Sequence, residues 1–238
     1  MASRRRRAWC GLARRARCAS SSPSTRRAHG AYTHVSKNAI KIASDLIQDL
    51  YRLEDLPVTQ PEEIRQAIAA SVPAIDSALG ASGGRILNRF TVSAGVIAGG
   101  LKINMLPGHC RLEVDIRLPV CMTHAGLMRE IEAIVARYPE VQVRPVWTHS
   151  AEPTVSDPDH RMMKILQATV ESLGRPEPVA SVSLGATDMK HWRACGVPAF
   201  VYGCTPNHMA KPDEWVAIDE YLHIVRTHAL AAASYLSP

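Results

Sequence analysis

The fold of this chain is decided by residues 184–221, which read LGATDMKHWRACGVPAFVYGCTPNHMAKPDEWVAIDEY. Gly185 allows a tight turn, and Thr187 or Asp188 can cap a helix that begins directly afterwards. Gly196 ends that helix two residues before a proline. The free N–H groups and partial positive charge at the helix amino terminus suit a carboxylate. We therefore predict that Gly185, Thr187 and Asp188 bind an anionic ligand group, with an ordinary capped turn as the alternative.

The same stretch continues with a strand and a second helix. Val197–Tyr202 has the apolar composition of a buried strand, and residues 203–210 have that of an irregular loop. Asp213 and Glu214 are expected to open the last helix, where their negative charge complements the helix dipole. A turn, a strand and a helix start lying so close together are typical of the wall of a binding site.

Upstream of this stretch, the hydrophobic periodicity alternates between helix and strand. Apolar residues at helical spacing predict helices over 36–51, 61–79 and 123–138, and strands are predicted over 89–97, 110–118 and 141–147. The alternation is clearest in the segment RLEVDIRL, residues 111–118, whose apolar residues share one face. The pattern predicts an α/β protein with a two-layer domain over 28–148 and part of a larger α/β sandwich over 149–238.

Composition places the chain among ordinary globular proteins. It has 238 residues, of which 46% are hydrophobic and 21% charged, and no apolar run approaches the roughly 18 residues of a membrane span. The six cysteines form neither a CxxC pair nor a dense pattern. This favours reduced thiols in the cytoplasm over disulfides.

The basic charge is concentrated in residues 1–27, which contain nine arginines and no acidic residue. Without these nine charges the formal net charge of +6 becomes −3 for the rest of the chain. We predict a disordered Arg/Ser-rich tail over 1–27. Three alternatives stay open: an organelle transit peptide, a nucleic-acid-binding arm, and a misread gene start.

Three groups of motifs, in a fixed order, resemble one family of amide hydrolases that use two zinc ions. The motifs are AHGAYTH at 28–34 with NAI at 38–40, KINMLP at 102–107 with EVDIR at 113–117, and GATD at 185–188 with GVP, PDEWV and IDEYL after it. The resembled family contains acetylornithine deacetylase, succinyl-diaminopimelate desuccinylase, aminoacylase and carboxypeptidase G. Together the motifs extend over residues 28–238.

The resemblance implies both an architecture and a function. Residues 28–148 would be the lid, or dimerisation, domain, and residues 149–238 the carboxy-terminal part of a metallohydrolase domain. The implied activity is metal-dependent cleavage of amide bonds in N-acyl amino acids or small peptides, by a cytoplasmic homodimer that pairs through the lid. Neither nucleic acid nor membrane is an expected partner; a nucleic-acid-binding function would rest on the Arg-rich tail alone.

The resemblance also assigns roles to residues of the lid. His29 is expected to reach into the partner subunit's active site and donate a hydrogen bond to the oxyanion that forms on the amide carbonyl. Tyr32 belongs to the same motif, and Asn104 and Arg117 match positions that line the substrate pocket. The guanidinium of Arg117 can bind a carboxylate with two hydrogen bonds. The alternative for Arg117 is an ion pair with Asp115 or Glu113 on a solvated face of the sheet.

The zinc site is where the chain departs from the family pattern. Most of the family's zinc ligands precede the lid, in an amino-terminal half that this chain does not contain. One further histidine is expected at the position of Ala210; His208, two residues earlier, is the candidate metal ligand, with a bystander histidine as the alternative. We therefore predict a family member that is truncated, inactive and not fully loaded with zinc. The alternative is a non-catalytic dimerisation fragment or regulatory remnant.

Overall fold

The computed structural model describes residues 7–8, 15–20, 28–146, 150–182, 187–205, 207–208 and 211–237. In chain order the elements are β1 (Arg7–Ala8), β2 (Arg15–Ser20), β3 (Ala28–His29), α1 (Ala39–Tyr51), α2 (Glu62–Leu79), β4 (Thr91–Gly99), β5 (Met105–Leu106), β6 (Cys110–Arg117), α3 (His124–Val135), β7 (Gln142–Val146), α4 (Arg161–Ser172), β8 (Val179–Ala180), α5 (Met189–Ala194) and α6 (Ile218–Leu236). Among the described residues, none of the helices has the length and hydropathy that a bilayer crossing requires.

The chain forms two compact units. The sheet unit comprises Leu12–Thr59 and Arg89–Pro153, and the helical unit comprises Met1–Gly11, Gln60–Asn88 and Thr154–Pro238. This division differs from the predicted limits of 28–148 and 149–238, chiefly because α2 lies in the helical unit. There Ile64 of α2 lines a cavity together with Met163 of α4.

The sheet unit is built on a four-stranded antiparallel sheet with the strand order β4-β6-β2-β7. With α1 between β2 and β4, and α3 between β6 and β7, the connection is the β-α-β-β-α-β pattern of a split β-α-β fold. Both helices pack on the same core, to which α1 contributes Leu46 and Leu50, and α3 contributes Leu127 and Ile131. The two-layer α/β arrangement expected from the sequence is therefore present.

The strand β6 contributes to that core through the alternation of apolar and polar residues along it. Leu112, Val114 and Ile116 are each no more than 3% exposed, while Arg111 on the opposite face is exposed. The helix α1 begins at Ala39 because the side chain of Asn38 accepts hydrogen bonds from the first free N–H groups.

The strand β2 lies inside the segment 1–27 for which the sequence predicted a disordered tail. It pairs with β6 on one side and with β7 on the other, so it is an inner strand of the sheet. Ala16 is opposite Val114 and Cys18 is opposite Leu112. The segment RARCAS alternates with period two, but its arginines carry the composition of a polar tail and obscure the alternation.

A two-stranded sheet of β3 and β5 joins the start of the lid motif to the loop between β4 and β6. His29 pairs with Met105, and the Gly30 N–H donates to the Asn104 carbonyl over 2.7 Å. A Cβ placed on Gly30 would lie 3.1 Å from the Asn104 carbonyl carbon. Glycine therefore permits the close approach of these two backbones.

The helical unit packs α4 against α6 and differs from the sequence prediction at Val197–Tyr202, where Tyr202 takes part in a β-bridge but no strand forms. Pro198 has no N–H to donate to a strand ladder. The Ala199 N–H donates to Ser156 Oγ over 3.0 Å, and its carbonyl accepts from Arg193 Nη1 at 2.8 Å. Side chains thus satisfy the backbone groups that a neighbouring strand would have paired.

The last helix also begins later than predicted, at Ile218 rather than at Asp213 and Glu214. Asp213 has a φ of 59°, which lies in the left-handed region and is incompatible with the first turn of an α-helix. Asp219 and Glu220 are the acidic residues of the first turn instead.

Asp49 at the end of α1 joins the two helices of the sheet unit through a buried carboxylate. It accepts hydrogen bonds from the Tyr138 hydroxyl and forms ion pairs with Arg137 Nη2 at 3.0 Å and Arg52 Nη1 at 3.3 Å. Burial, followed by the hydrogen bond to Asp49, raises the pKa of Tyr138 to about 12. A folded-state pKa above the ordinary value of 10.0 means that the protonated phenol stabilises the fold.

We predict that the free energy of unfolding of the sheet unit declines as the pH rises from about 10 towards 12. Below pH 10 the Tyr138 phenol is protonated in both the folded and the unfolded state, and its stabilisation of the fold is complete. Between the two pKa values the unfolded state loses this proton first, so the stabilisation is lost progressively. Tyr138→Phe should remove this part of the decline and lower the unfolding free energy at neutral pH by about 1 kcal/mol. Urea unfolding across this pH range measures both effects. Tyr51→Phe is the control. The prediction would be contradicted if the unfolding free energy of Tyr138→Phe fell with pH as steeply as that of the natural chain.

We further predict that Gly30→Ala lowers the unfolding free energy of the sheet unit by about 1 kcal/mol, because the added methyl weakens the Gly30–Asn104 hydrogen bond. Gly95→Ala is the matched control, since a Cβ there meets nothing within 4 Å. Thermal unfolding measures the stability, and backbone NMR shifts at Asn104 report the displacement. Equal unfolding free energies of Gly30→Ala and Gly95→Ala would contradict a role for the close contact in stability.

Candidate functional site

The turn at residues 28–35 fixes the histidine predicted to be catalytic. The Tyr32 N–H donates to the His29 carbonyl over 2.9 Å, and the Ala31 N–H donates to His29 Nδ1 over 3.2 Å. Because Nδ1 accepts, the proton of the neutral imidazole lies on Nε2. His29 is exposed, and within the described residues Nε2 has no hydrogen-bond partner. The turn therefore presents an imidazole N–H donor to the surroundings.

The sheet unit brings three of the predicted site residues together. The rings of His29 and Tyr32 are 5.7 Å apart between centroids, and Tyr32 is 57% exposed. Asn104 is held beside this turn by its backbone bond to Gly30, with its side chain exposed. An imidazole donor, a phenol and an amide thus share one accessible corner of the unit, which can bind a polar ligand.

Arg117 lies at the end of β6 and makes the ion pair that was the alternative for it. Its Nε and Nη2 are 3.2 Å and 3.1 Å from Asp115 Oδ2. The other carboxylate oxygen, Oδ1, is buried without a hydrogen-bond partner within the described residues. The Arg117 side chain is 34% exposed, and the ion pair orients its guanidinium.

The remaining predicted substrate residues belong to the helical unit. Gly185 lies outside the described residues. Asp188 precedes α5 but makes no side-chain capping bond, and Thr187 Oγ1 is buried without a partner among the described residues. With only six residues, α5 is also a short helix whose amino terminus offers a weak dipole. Their assignment to an anionic ligand stays a prediction.

The loop that carries the candidate metal ligand His208 is fixed at its base by buried polar contacts. Glu220 is 5% exposed, and its Oε1 accepts from the Thr205 N–H and hydroxyl, each at 2.8 Å. Asn207 forms a β-bridge with Trp215. His208 itself is exposed and has a φ of 55°. Ala210, where the family pattern places a histidine, lies outside the described residues.

The sequence does not indicate that Glu220 holds the base of this loop through its hydrogen bonds to Thr205. Glu220 belongs to the motif IDEYL, which contributed only to the family resemblance, and nothing in the local pattern indicates that its side chain contacts Thr205, 15 residues earlier. A buried acidic residue at a helix start is the only signal, and burial is not visible in the sequence.

The metal implied by the resemblance does not fit the side chains that the structure describes. Across the described residues there is no group of three or more His, Cys, Asp or Glu side chains close enough to hold a metal ion. Three protein ligands are the usual minimum for a catalytic zinc. His208 has no second ligand beside it in the described part of the chain, so no chemical step through a metal follows from this geometry.

Comparison with known proteins shows the family of the first half of the chain, which contains most of the sheet unit. The family pattern named peptidase dimerisation domain, of M20 peptidases, matches residues 24–142, which is half of the chain. No curated protein sequence matches the chain.

Solved structures share the fold over nearly the whole chain. A di-peptidase of Saccharomyces cerevisiae has a TM-score of 0.70 with 16% identity over 100% of this chain, and an M20 family metallo-carboxypeptidase of Sulfolobus solfataricus has 0.69 with 14% identity over 95%. Human carnosine dipeptidase 1 has a TM-score of 0.62 with 12% identity over 99%. The chain spans only 58%, 59% and 58% of these three chains, respectively.

The dimerisation-domain match extends from just before the motif around His29 to the first residue of β7, and it includes α1, β4, β6 and α3. The family expected from the three motif groups is confirmed, as is the α/β lid. The chain belongs to the M20 family of peptidases.

Proposed function

We propose that this chain provides the lid and the carboxy-terminal part of a metal-dependent hydrolase that cleaves amide bonds of N-acyl amino acids or small peptides. Membership of the M20 family supports the hydrolase class. The observation that carries the proposal is the His29 turn, which holds Nδ1 as an acceptor and leaves Nε2–H as an exposed donor. An exposed imidazole donor is what the oxyanion of an attacked amide carbonyl requires.

His29 would act by donating this hydrogen bond in the active site of the partner subunit of a homodimer formed through the lid. The amide carbonyl oxygen gains negative charge as its carbon becomes tetrahedral, so the hydrogen bond strengthens along the reaction. Loss of such a donor costs on the order of 100-fold in rate. The Ala31–Nδ1 bond would keep the ring in the tautomer that donates.

Arg117 and Asn104 would recognise the carboxylate of the N-acyl amino acid. The Asp115 ion pair orients the guanidinium of Arg117, and a guanidinium can bind both oxygens of a carboxylate. The Asn104 amide can donate to a carboxylate or an acyl oxygen. Gly185, Thr187 and Asp188 of the helical unit would bind an anionic ligand group.

The activity would depend on two zinc ions, and His208 is the candidate ligand that this chain supplies. Because the described residues bring no further ligands to it, we propose that the chain by itself is inactive and not fully loaded with zinc.

The free thiols of Cys110, Cys121, Cys195 and Cys204 favour a reducing compartment, which supports the cytoplasm as the location of the protein. The second candidate function is a non-catalytic dimerisation fragment. The match to a peptidase dimerisation domain supports it.

We predict that the purified full chain, supplied with zinc, hydrolyses neither N-acetyl amino acids nor dipeptides and binds no zinc tightly. The reason is that one candidate ligand does not form a zinc site. Product formation by mass spectrometry and zinc content after dialysis measure the two properties. Stoichiometric zinc together with turnover would contradict the inactivity.

We also predict that the lid binds the substrate, an N-acyl amino acid. Titration with an N-acetyl amino acid should produce saturable NMR shifts at His29, Asn104 and Arg117. Arg117→Lys should weaken binding about 10-fold because the two-point contact is lost.

The matched control is Arg129→Lys, which substitutes an exposed arginine of α3. Saturable binding that responds to Arg117 supports the hydrolase proposal. A dimer that shows no saturable shifts at these residues would instead favour the non-catalytic dimerisation fragment.

A further inference from the structure

Three side chains of the sheet unit, outside the site described above, form one hydrogen-bonded chain. Ser150 Oγ is 2.8 Å from His124 Nε2, and Glu152 Oε1 is 2.9 Å from His124 Nδ1. The serine and the carboxylate therefore contact opposite nitrogens of the same imidazole. This is the connectivity of a nucleophile, a general base and an orienting carboxylate.

The fold positions the imidazole of this cluster closely. His124 is the first residue of α3, where the Thr123 hydroxyl accepts from the Gly126 N–H. The backbone N–H of His124 also donates to Glu152, at 3.2 Å from Oε1 and 3.3 Å from Oε2. Glu152 thus holds both the backbone and the ring of His124, so the ring orientation does not depend on one contact.

The geometry selects a tautomer that suits catalysis. A carboxylate oxygen accepts, so Nδ1 carries the proton and donates to Glu152. Nε2 is then the acceptor for the Ser150 hydroxyl. The His124 side chain is 18% exposed and the Glu152 side chain 52%, so the cluster lies at the surface where a substrate can reach it.

We propose that Ser150, His124 and Glu152 form a serine esterase site for small carboxylic esters, independent of any metal. Ser150 Oγ bonds to the ester carbonyl carbon as its proton moves to His124 Nε2. When the bond from that carbon to the alkoxy oxygen breaks, the imidazolium returns the proton to the departing alcohol. A water molecule, deprotonated by Nε2, then attacks the acyl carbon. The bond from that carbon to Ser150 Oγ breaks, the imidazolium returns the proton to Oγ, and the carboxylic acid leaves. The net reaction converts ester and water into carboxylic acid and alcohol.

Esters of small acids are the substrate class that this site suits. An alcohol leaves a tetrahedral intermediate more readily than an amine, so an ester makes the smaller demand on oxyanion stabilisation. At the amino terminus of α3, the N–H groups of His124 and Gly126 are already bonded to Glu152 and Thr123, which favours a substrate that needs little oxyanion stabilisation.

Covalent labelling tests the nucleophile directly. The full chain is treated with a fluorophosphonate, which forms a bond from serine oxygen to phosphorus as fluoride leaves, and the adduct is located by peptide mass spectrometry. We expect one adduct, on Ser150, and its loss in His124→Gln. Ser93→Ala, an exposed serine of β4, and His109→Gln, an exposed histidine, are the matched controls and should label as the natural chain does.

Hydrolysis of 4-nitrophenyl acetate tests the reaction. Ser150→Ala and His124→Gln should lower the rate at least about 10-fold, while a metal chelator should leave it unchanged. Glu152→Gln, which keeps the shape of the side chain, should lower the rate with a smaller change in stability than Glu152→Ala. Circular dichroism and urea unfolding verify that the variants are folded.

The esterase site requires both the adduct on Ser150 and the lower hydrolysis rate of Ser150→Ala. Absence of an adduct on Ser150, or a rate in folded Ser150→Ala equal to that of the natural chain, would overturn it. A rate abolished by the chelator would assign the hydrolysis to a metal site instead. Because the proposed amide hydrolase depends on a metal and on other residues, its failure and the failure of this site are distinguishable.

Discussion

The inner position of β6 is the constraint on which the sheet unit depends. This strand pairs with β4 on one edge and with β2 on the other, so its backbone groups are satisfied on both sides. Its period-two pattern sends Leu112, Val114 and Ile116 into the core formed with α1 and α3. The same alternation places Asp115 and Arg117 on the opposite face. One strand therefore fixes the hydrophobic core and the ion pair of the candidate site together.

The corner formed by His29, Tyr32 and Asn104 depends on this sheet indirectly. The loop from β4 to β6 contains β5, and β5 fixes β3 and the His29 turn through two paired residues and the Gly30–Asn104 bond. This explains why His29 and Asn104, which are far apart in sequence, are neighbours. It also explains why the site needs a glycine next to its histidine: a side chain at position 30 would press on the Asn104 backbone.

Much of the fold could be predicted from the sequence where one local pattern decided the structure. The alternation of β6 and the Asn38 cap of α1 are such patterns, and the motif around His29 indicated the family. The predictions that differ from the structure involve distant partners. At Val197–Tyr202, Ser156 and Arg193 satisfy the Ala199 backbone in place of a strand. In the Arg-rich segment, β2 is ordered by the two strands beside it. The Ser150–His124 contact joins residues 26 apart, which no local pattern reports.

Hydrogen exchange of the β2 amides tests the central claim most directly, namely that Arg15–Ser20 completes the sheet as an inner strand beside β6. The account predicts that these amides exchange as slowly as those of β6, since both strands are paired on each edge. It would be contradicted if residues 15–20 exchanged at the rate of an unfolded peptide. Every second amide of β6, those that face β2, would then also exchange fast, while the amides that face β4 stayed protected.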